Sequence, residues 1–258
     1  MGAAQRSRDW RPEAGFTMLE LLVVIAVILL LAALLLPALT TARSRALKAG
    51  CISNLRQVGT ALSLYVQEQG FFPLATSGDG LGSCPRSLRP VAGATVLCCP
   101  QKLKATDKLL QFFPTNTLLN PPYGYNFIGG VWSSRPLLNL GLGGDYAWSD
   151  SGGTYLPAPE NRIQVPAQMI ALGDTPALLP PGASPPPGAT PGDLLWISYP
   201  YIFPGADVPG VGNWHNGGAN MAFCDGHVQY AKQSVWMKNA DDTRRLWNND
   251  NLPHEETW

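Results

Sequence analysis

The pattern of apolar and polar residues divides the chain into three stretches. Residues 21–36 are apolar without a break, and including residues 16–20 gives a run of 21 residues, about the length of a helix that spans a bilayer. Further on, apolar side chains recur at spacings of three and four, which is typical of one helical face: Leu47, Cys51, Leu55, Val58, Leu62 and Tyr65. Gly70 and Pro73 supply a stop signal. The pattern predicts a helix over residues 16–69, apolar first and amphipathic afterwards.

Beyond Gly70, glycines and prolines separate short apolar runs. This pattern is typical of loop-rich β structure. The predicted strands are Val91–Leu97, Met169–Leu172, Leu194–Tyr199, Asn220–Cys224 and His227–Ala231, and a short helix is predicted within residues 233–249. Residues 174–193 contain seven prolines and no strand signal, which predicts an exposed loop of polyproline character. The predicted fold class is therefore α+β.

One carboxylate lies inside the apolar run. An ionised Glu20 in hydrocarbon would cost at least about 2.5 kcal/mol, so the sequence requires a compensating partner. A secretory signal peptide is one alternative, but its apolar core would be about 7 to 15 residues long, and the unbroken run here has 16. A plain anchor whose Glu20 snorkels to the membrane face is another alternative.

The residues around Glu20 carry a resemblance. Gly15-Phe16-Thr17-Met18-Leu19-Glu20 resembles the type IV prepilin cleavage and methylation signal. The resemblance implies that a prepilin peptidase cuts after Gly15 and methylates the amine of Phe16. It also implies that Glu20 pairs with the N-terminal amine of a neighbouring pilin-like subunit, which would supply the compensating charge.

This resemblance implies the layout of a pilin-like chain. Residues 1–15 form a leader, residues 16–39 a transmembrane and assembly helix, and residues 40–70 its amphipathic continuation. Residues 71–258 form a β-rich globular domain against which the amphipathic helix packs. The chain would be a single-pass protein of the inner membrane, with the globular domain in the periplasm or at the cell surface.

The second informative stretch is residues 214–231, WHNGGANMAFCDGHVQYA. Asn216-Gly217 and Asp225-Gly226 are turn sequences that bracket an alternating run, which predicts a hairpin with a two-residue turn at Asp225-Gly226. Nine residues separate His215 from Asp225-Gly226. This arrangement resembles the H-x9-DG signature of pilin-like proteins from planctomycete-type bacteria. Other points that share this resemblance are residues 51–57, Gly59, residues 62–65, Cys99-Pro100, residues 123–126, residues 247–250 and Pro253-His254.

His215, Asp225 and His227 are candidate metal ligands, since a divalent ion can use two imidazoles and a carboxylate. Their spacing favours a structural turn instead, because Asp-Gly is common hairpin chemistry. Calcium bound by oxygens is a separate alternative, with Asp145, Asp150, Asp174 and Asp225 available but not spaced as a calcium loop. We therefore expect no metal and no cofactor.

Five cysteines are present, and a globular domain outside the cytoplasm can keep disulfides. Cys84 with Cys98 or Cys99 would close a loop of about 15 residues, worth about 3 kcal/mol in the chain-entropy model; the predicted bridge is Cys84–Cys99. Cys51 can equally be a small buried apolar residue. Zinc is disfavoured, because the sequence has no Cys-x2-Cys pair.

The chain has zero net charge and no basic patch with interleaved aromatic residues, so nucleic acid is not an expected partner. We expect a structural subunit, not an enzyme, that assembles with copies of itself or other pilin-like subunits and with the secretion machinery, as a type II secretion pseudopilus or a pilus. One alternative is a minor pilin that binds a secreted substrate or polysaccharide through aromatic loops (Tyr123, Tyr125, Trp132, Trp148, Trp196, Tyr199 and Tyr201). An anchored hydrolase using His215, Asp225 and His227 is the other.

Overall fold

The structure is a computed structural model of the chain. It describes residues 17–74, 83–93, 96–97, 99–101, 123–126, 140–149, 152–175, 196–197 and 210–254. The predicted leader 1–15, the cleavage point after Gly15 and residues 176–193 of the proline-rich loop lie outside these ranges. The chain divides into two compact units, residues 1–45 and residues 46–258.

Helix α1, Met18–Gln69, confirms the predicted long N-terminal helix and runs without interruption through Pro37. Among the described residues it is the one helix that is long and apolar enough to cross a membrane. In the first unit most of its large apolar side chains, including Leu22, Leu30 and Leu36, are more than half exposed. A helix that is apolar on all sides is suited to lipid or to other helices.

The second half of α1 belongs to the second unit and is amphipathic, as its spacing predicts. Its buried positions are Cys51, Leu55, Val58, Gly59, Ala61, Leu62 and Val66. The helix ends at Gly70, whose positive φ of 77° is the left-handed conformation that glycine adopts at a helix C-terminus. The amide of Gly70 donates to the carbonyl of Val66 at 2.7 Å.

The second unit contains a five-stranded sheet in the order β5-β1-β4-β6-β7 and a separate hairpin of β2 and β3. The strands are β1 Gly124–Asn126, β2 Asp145–Ser149, β3 Gly152–Leu156, β4 Ile170–Gly173, β5 Trp196–Ile197, β6 Gly218–Phe223 and β7 Val228–Lys232. All neighbours in the larger sheet are antiparallel except β1 and β5, which are parallel. This sheet and α1 confirm the α+β class.

The central strands β4 and β6 are buried along their whole length because both faces of the sheet are covered. On one face, Leu172 and Ala222 share a core with the buried face of α1. On the other, Met221 and Phe223 pack with Trp236 and Trp247. Trp236 lies in the short helix α3, Gln233–Trp236, and Trp247 lies in a 3₁₀ turn, Arg245–Trp247, that follows helix α4, Asp241–Arg244.

Three of the five predicted strands appear nearly where the pattern puts them, as β4, β6 and β7, and two residues of a fourth form β5. The predicted strand Val91–Leu97 is wrong. Helix α2 occupies Ser83–Ala92 and ends at Gly93, which has a φ of 80°, so residues 91 and 92 complete a helix. Strands β1, β2 and β3 were not predicted, because they are short and rich in Gly, Ser, Asn and Asp, which are weak strand formers.

Candidate functional site

The first site is the start of α1, where Thr17 and Glu20 form a reciprocal cap. The backbone amide and the hydroxyl of Thr17 donate to Oε2 of Glu20 at 2.9 and 2.8 Å. In return, the amide of Glu20 donates to the Thr17 hydroxyl at 3.2 Å. This is a capping box, in which a Thr at the helix start and a Glu three residues later satisfy each other's amides.

The cap gives the exposed carboxylate of Glu20 two donors from its own chain. Both come from a residue three positions earlier, so they are available before any other subunit is present. Gly15 and Phe16, the predicted cleavage pair, lie outside the described residues. Sequence reasoning assigned Glu20 to assembly and missed its capping role, although the pattern Thr-x-x-Glu before an apolar run is a readable signal.

The second site is a buried cluster of four side chains from four separate segments: Cys51, Cys99, Asp174 and His215. Cys51 lies on the buried face of α1, and Cys99 lies just before residues 100–101, which are helical. Asp174 directly follows β4, and His215 precedes the turn that leads into β6. Each residue is at most 2% exposed, so the cluster is enclosed by the core.

The side-chain atoms of the cluster converge closely. Sγ of Cys51 lies 3.3 Å from Oδ1 of Asp174, and Sγ of Cys99 lies 3.3 Å from Nε2 of His215. Nε2 of His215 also lies 3.3 Å from Oδ2 of Asp174. One ligand atom from each residue lies within 4.8 Å of all the others.

Two further side chains hold the cluster in place. The backbone amide and Nδ2 of Asn220, in β6, donate to Oδ2 of Asp174 at 2.8 and 3.1 Å. The hydroxyl of Tyr123 lies 3.0 Å from Sγ of Cys51 and 3.2 Å from the Cys51 carbonyl, to which it donates. The Asp174 carboxylate is thereby oriented by fixed donors before anything else binds it.

The surroundings shift the protonation of these groups. Burial raises the pKa of the Cys51 thiol, and hydrogen bonding to Cys99 and the charge of Asp174 raise it further. Burial would by itself lower the pKa of His215, but hydrogen bonds to Asp174 and Cys99 and the Asp174 charge raise it to about 9. The cluster without a bound cation therefore holds a neutral Cys51 thiol beside a His215–Asp174 ion pair.

The fixed turn before β6 explains how His215 reaches this position. His215 and Gly218 exchange backbone hydrogen bonds of 3.0 and 3.2 Å across Asn216-Gly217, where both φ angles are positive, 52° and 72°. Positive φ at both central residues is the hairpin geometry that Asn-Gly favours. Tyr230 in β7 also donates its hydroxyl to the His215 carbonyl at 2.8 Å.

The structure does not bring His215 together with Asp225 and His227, the two ligands proposed with it. Asp225 accepts from the amide of His227 at 3.1 Å, and its Oδ1 lies 2.6 Å from Nδ1 of His227. Both side chains are partly exposed in the turn between β6 and β7, while His215 is in the core. Asp225 therefore shapes a turn, which was the structural alternative.

The turn itself differs slightly from the prediction. The amide of Gly226 donates to the Phe223 carbonyl and the amide of Phe223 to the His227 carbonyl, each at 2.9 Å. The hairpin loop is thus residues 224–226, three residues with Gly226 at a φ of 88°, a common three-residue form. The nine-residue spacing from His215 to Asp225 spans one turn, strand β6 and one loop residue.

The predicted Cys84–Cys99 bridge is not formed. Cys99 forms no disulfide and its thiol lies inside the cluster; the side chain of Cys84 is outside the described part of the chain, as is Cys98. Of the calcium candidates, Asp174 belongs to the cluster and Asp225 to the hairpin turn. Asp150 and the Asp145 side chain fall outside the described residues.

The aromatic residues assigned to a binding surface divide into two groups. Tyr123 and Tyr125 are each 3% exposed and belong to the core. Nothing can be assigned to the side chains of the others, which lie outside the described set: Trp132, Trp148, Trp196, Tyr199 and Tyr201.

Comparison with known families gives one match. Residues 10–36 match the family described as "Prokaryotic N-terminal methylation motif". The chain carries a prepilin-type N-terminal motif. The match contains the capped Glu20 and most of the exposed apolar part of α1, and it supports a pilin-like protein anchored by this helix. Neither the curated proteins nor the solved structures contain a match to the chain.

Proposed function

We propose that this protein is a prepilin-like structural subunit that is cleaved after Gly15, methylated at Phe16 and assembled into a filament of the type II secretion pseudopilus or type IV pilus kind. The observation that carries the proposal is the match of residues 10–36 to the methylation motif. A prepilin peptidase is the processing partner, and copies of this chain or other pilin-like subunits are the assembly partners.

The structure of α1 supports this proposal physically. Its first half presents apolar side chains on all sides, which suits a bilayer before assembly and a bundle of like helices after it. Burying these side chains against neighbours removes them from lipid without exposing them to water. The globular second unit, with its own sheet and core, then lies outside the inner membrane.

Glu20 has a separate role in this scheme. In the bilayer the Thr17 amide and hydroxyl satisfy part of its hydrogen-bonding capacity, but they do not neutralise its charge. The methylated amine of Phe16 in a neighbouring subunit would supply that neutralisation, and an ion pair in a medium of low dielectric constant is strongly favoured over separated charges. The protein acts through this assembly contact and not as an enzyme.

The experiment separates the charge of Glu20 from its capping role. Glu20→Gln keeps a residue that can complete a capping box but removes the charge, while Thr17→Ala removes the cap partner and keeps the charge. We expect both variants to be cleaved, and Glu20→Gln to be lost from the sheared filament fraction while Thr17→Ala is retained. Glu160→Gln, a change to an exposed glutamate of the second unit, is the matched control.

Two results would contradict the proposal. One is normal recovery of Glu20→Gln in filaments, which would mean that the charge is not used in assembly. The other is a wild-type chain that is never shortened in cells containing a prepilin peptidase.

A further inference from the structure

The buried cluster has the dimensions of a tetrahedral metal site. Zinc binds thiolate sulfur at about 2.3 Å and imidazole nitrogen or carboxylate oxygen at about 2.0–2.2 Å, so adjacent ligand atoms in a tetrahedron lie about 3.3–3.7 Å apart. Three pairs of side chains have this separation: Cys51 Sγ to Asp174 Oδ1, Cys99 Sγ to His215 Nε2, and His215 Nε2 to Asp174 Oδ2, each 3.3 Å. One ligand atom from each of the four residues lies within 4.8 Å of the others, so a cation placed among them would be within reach of all four residues.

We propose that Cys51, Cys99, Asp174 and His215 bind one Zn²⁺ ion. Two thiolates, an imidazole and a carboxylate form a ligand set that suits zinc, and thiolates disfavour Mg²⁺ and Ca²⁺. The sequence argument against zinc relied on the missing Cys-x2-Cys pair, but here the four ligands come from segments far apart in the chain. The proposal does not depend on prepilin processing.

All four coordination positions are filled by the protein, which makes this a structural zinc site and not a catalytic one. The ion would join α1, the segment at Cys99, the end of β4 and the turn before β6. Sequence separations of 116 and 123 residues, between Cys99 and His215 and between Cys51 and Asp174, mean that the ion closes very long loops. Zinc binding would therefore contribute directly to folding of the second unit.

The surrounding donors fit a bound metal. Asn220 donates two hydrogen bonds to Asp174, and Tyr123 can donate to the Cys51 sulfur. Such outer contacts orient the ligands of metal sites and stabilise their negative charge. Binding displaces one proton from each thiol, and also the proton of His215 where it is charged; these protons pass to solvent, and no group is oxidised.

A disulfide between Cys51 and Cys99 is the competing state, because the two sulfur atoms lie in the same cluster. Its formation would release two electrons and two protons to an oxidant and would consume both thiolate ligands. Asp174 and His215 would then remain as a buried ion pair. The two states differ in mass, in thiol content and in metal content, so one preparation can distinguish them.

The first test uses the full chain purified from membranes in detergent, without chelator. Elemental analysis should give one zinc per chain. Replacement by Co²⁺ should give the visible bands of a tetrahedral site and a thiolate-to-cobalt charge-transfer band. Cys51→Ser and Cys99→Ser should each lose stoichiometric metal and the charge-transfer intensity, whereas Cys224→Ser, at a free and half-buried cysteine outside the cluster, should keep both.

The second test needs no variant at a ligand, so it stands even where the cysteine variants fail to fold. Removal of zinc from the wild-type chain by a chelator should lower its thermal unfolding midpoint, and added Zn²⁺ should restore it. Asn220→Ala should weaken zinc affinity about 10- to 100-fold, while His227→Gln should leave affinity unchanged. Absence of stoichiometric zinc, a Cys51–Cys99 disulfide in the native chain, or equal metal loss in Cys224→Ser would overturn the proposal.

Discussion

Two carboxylates of this chain, Glu20 and Asp174, are stabilised in different ways. Glu20 receives its hydrogen bonds from Thr17, three residues away, at the exposed start of a helix. Asp174 receives its contacts from Asn220, Cys51 and His215, which are 41 to 123 residues away along the chain, inside a closed core. Asp174 is thus compensated within its own unit by His215, whereas in our proposal Glu20 depends on an external partner for its charge.

Replacing each carboxylate by its amide should therefore have different effects on the stability of the second unit. Asp174→Asn removes one partner of a buried ion pair, which typically costs about 3–5 kcal/mol, so the free energy of unfolding of the second unit should fall by about that amount. Glu20→Gln should leave that free energy unchanged. Denaturant unfolding followed by tryptophan fluorescence measures the free energy of unfolding of both variants. Equal effects of the two changes would mean that the two carboxylates do not differ in how they stabilise the second unit.

Matched leucine substitutions sharpen the contrast between the two halves of α1. Leu55 is fully buried, and Leu55→Ala should destabilise the second unit by about 2–5 kcal/mol through lost burial and a residual cavity. Leu30 is 64% exposed, so Leu30→Ala should not change the unfolding of that unit. Thermal unfolding in detergent measures both, and a shift of similar size for Leu30→Ala would mean that its half of the helix is also packed in the core.

The pH dependence of the metal-free chain tests the core cluster. The pKa of His215 is raised to about 9 from about 6.5 in an unfolded chain, and the titratable groups that face it are Asp174, Cys51 and Cys99. Protonated His215 therefore stabilises the folded chain. Its contribution to the free energy of unfolding is fully present below about pH 6.5 and is lost as the pH rises through about 9. Unfolding in the presence of chelator should show this loss in the wild type, and His215→Gln should abolish it while His227→Gln does not.

The smallest effect is expected at the helix start. Thr17→Ala removes the side chain of the cap, and such a loss costs about 0.5–2 kcal/mol, confined to the first turn of α1. Hydrogen exchange should become faster at residues 18–21 with no change in the second unit. Thr40→Ala, which removes a hydroxyl bonded to the Pro37 carbonyl within the same helix, is the control, and unchanged exchange in Thr17→Ala would mean that the cap is not formed.

The features that could be predicted from the sequence are those that depend on contacts between residues close together in the chain. The α1 helix, its buried face and the turn residues Asn216-Gly217 depend on contacts within a few residues, so spacing and residue type reveal them. The cluster depends on which distant segments meet, and no spacing rule connects Cys51, Cys99, Asp174 and His215. Three of its members did lie in motifs that the sequence singled out, at residues 51–57, Cys99-Pro100 and His215, and Asp174 lies two residues after the predicted strand Met169–Leu172.

The errors have local physical causes. Val91–Leu97 contains apolar residues, but Gly93 takes the left-handed conformation that ends α2. The three candidate ligands His215, Asp225 and His227 do not meet, because Asp225 and His227 pair with each other across one turn, in agreement with the structural turn that the sequence favoured. Asp225 and His227 are close in sequence and meet in an exposed turn, whereas His215 lies in the core.

The central claim, that the chain is processed as a prepilin, is tested most directly by the intact mass and N-terminal sequence of the protein from its native membrane. We expect a chain that begins at Phe16 and carries one added methyl group on that residue. A chain that still begins at Met1, or that is cut at another position, would contradict it, because Glu20 would then have no methylated Phe16 amine to pair with.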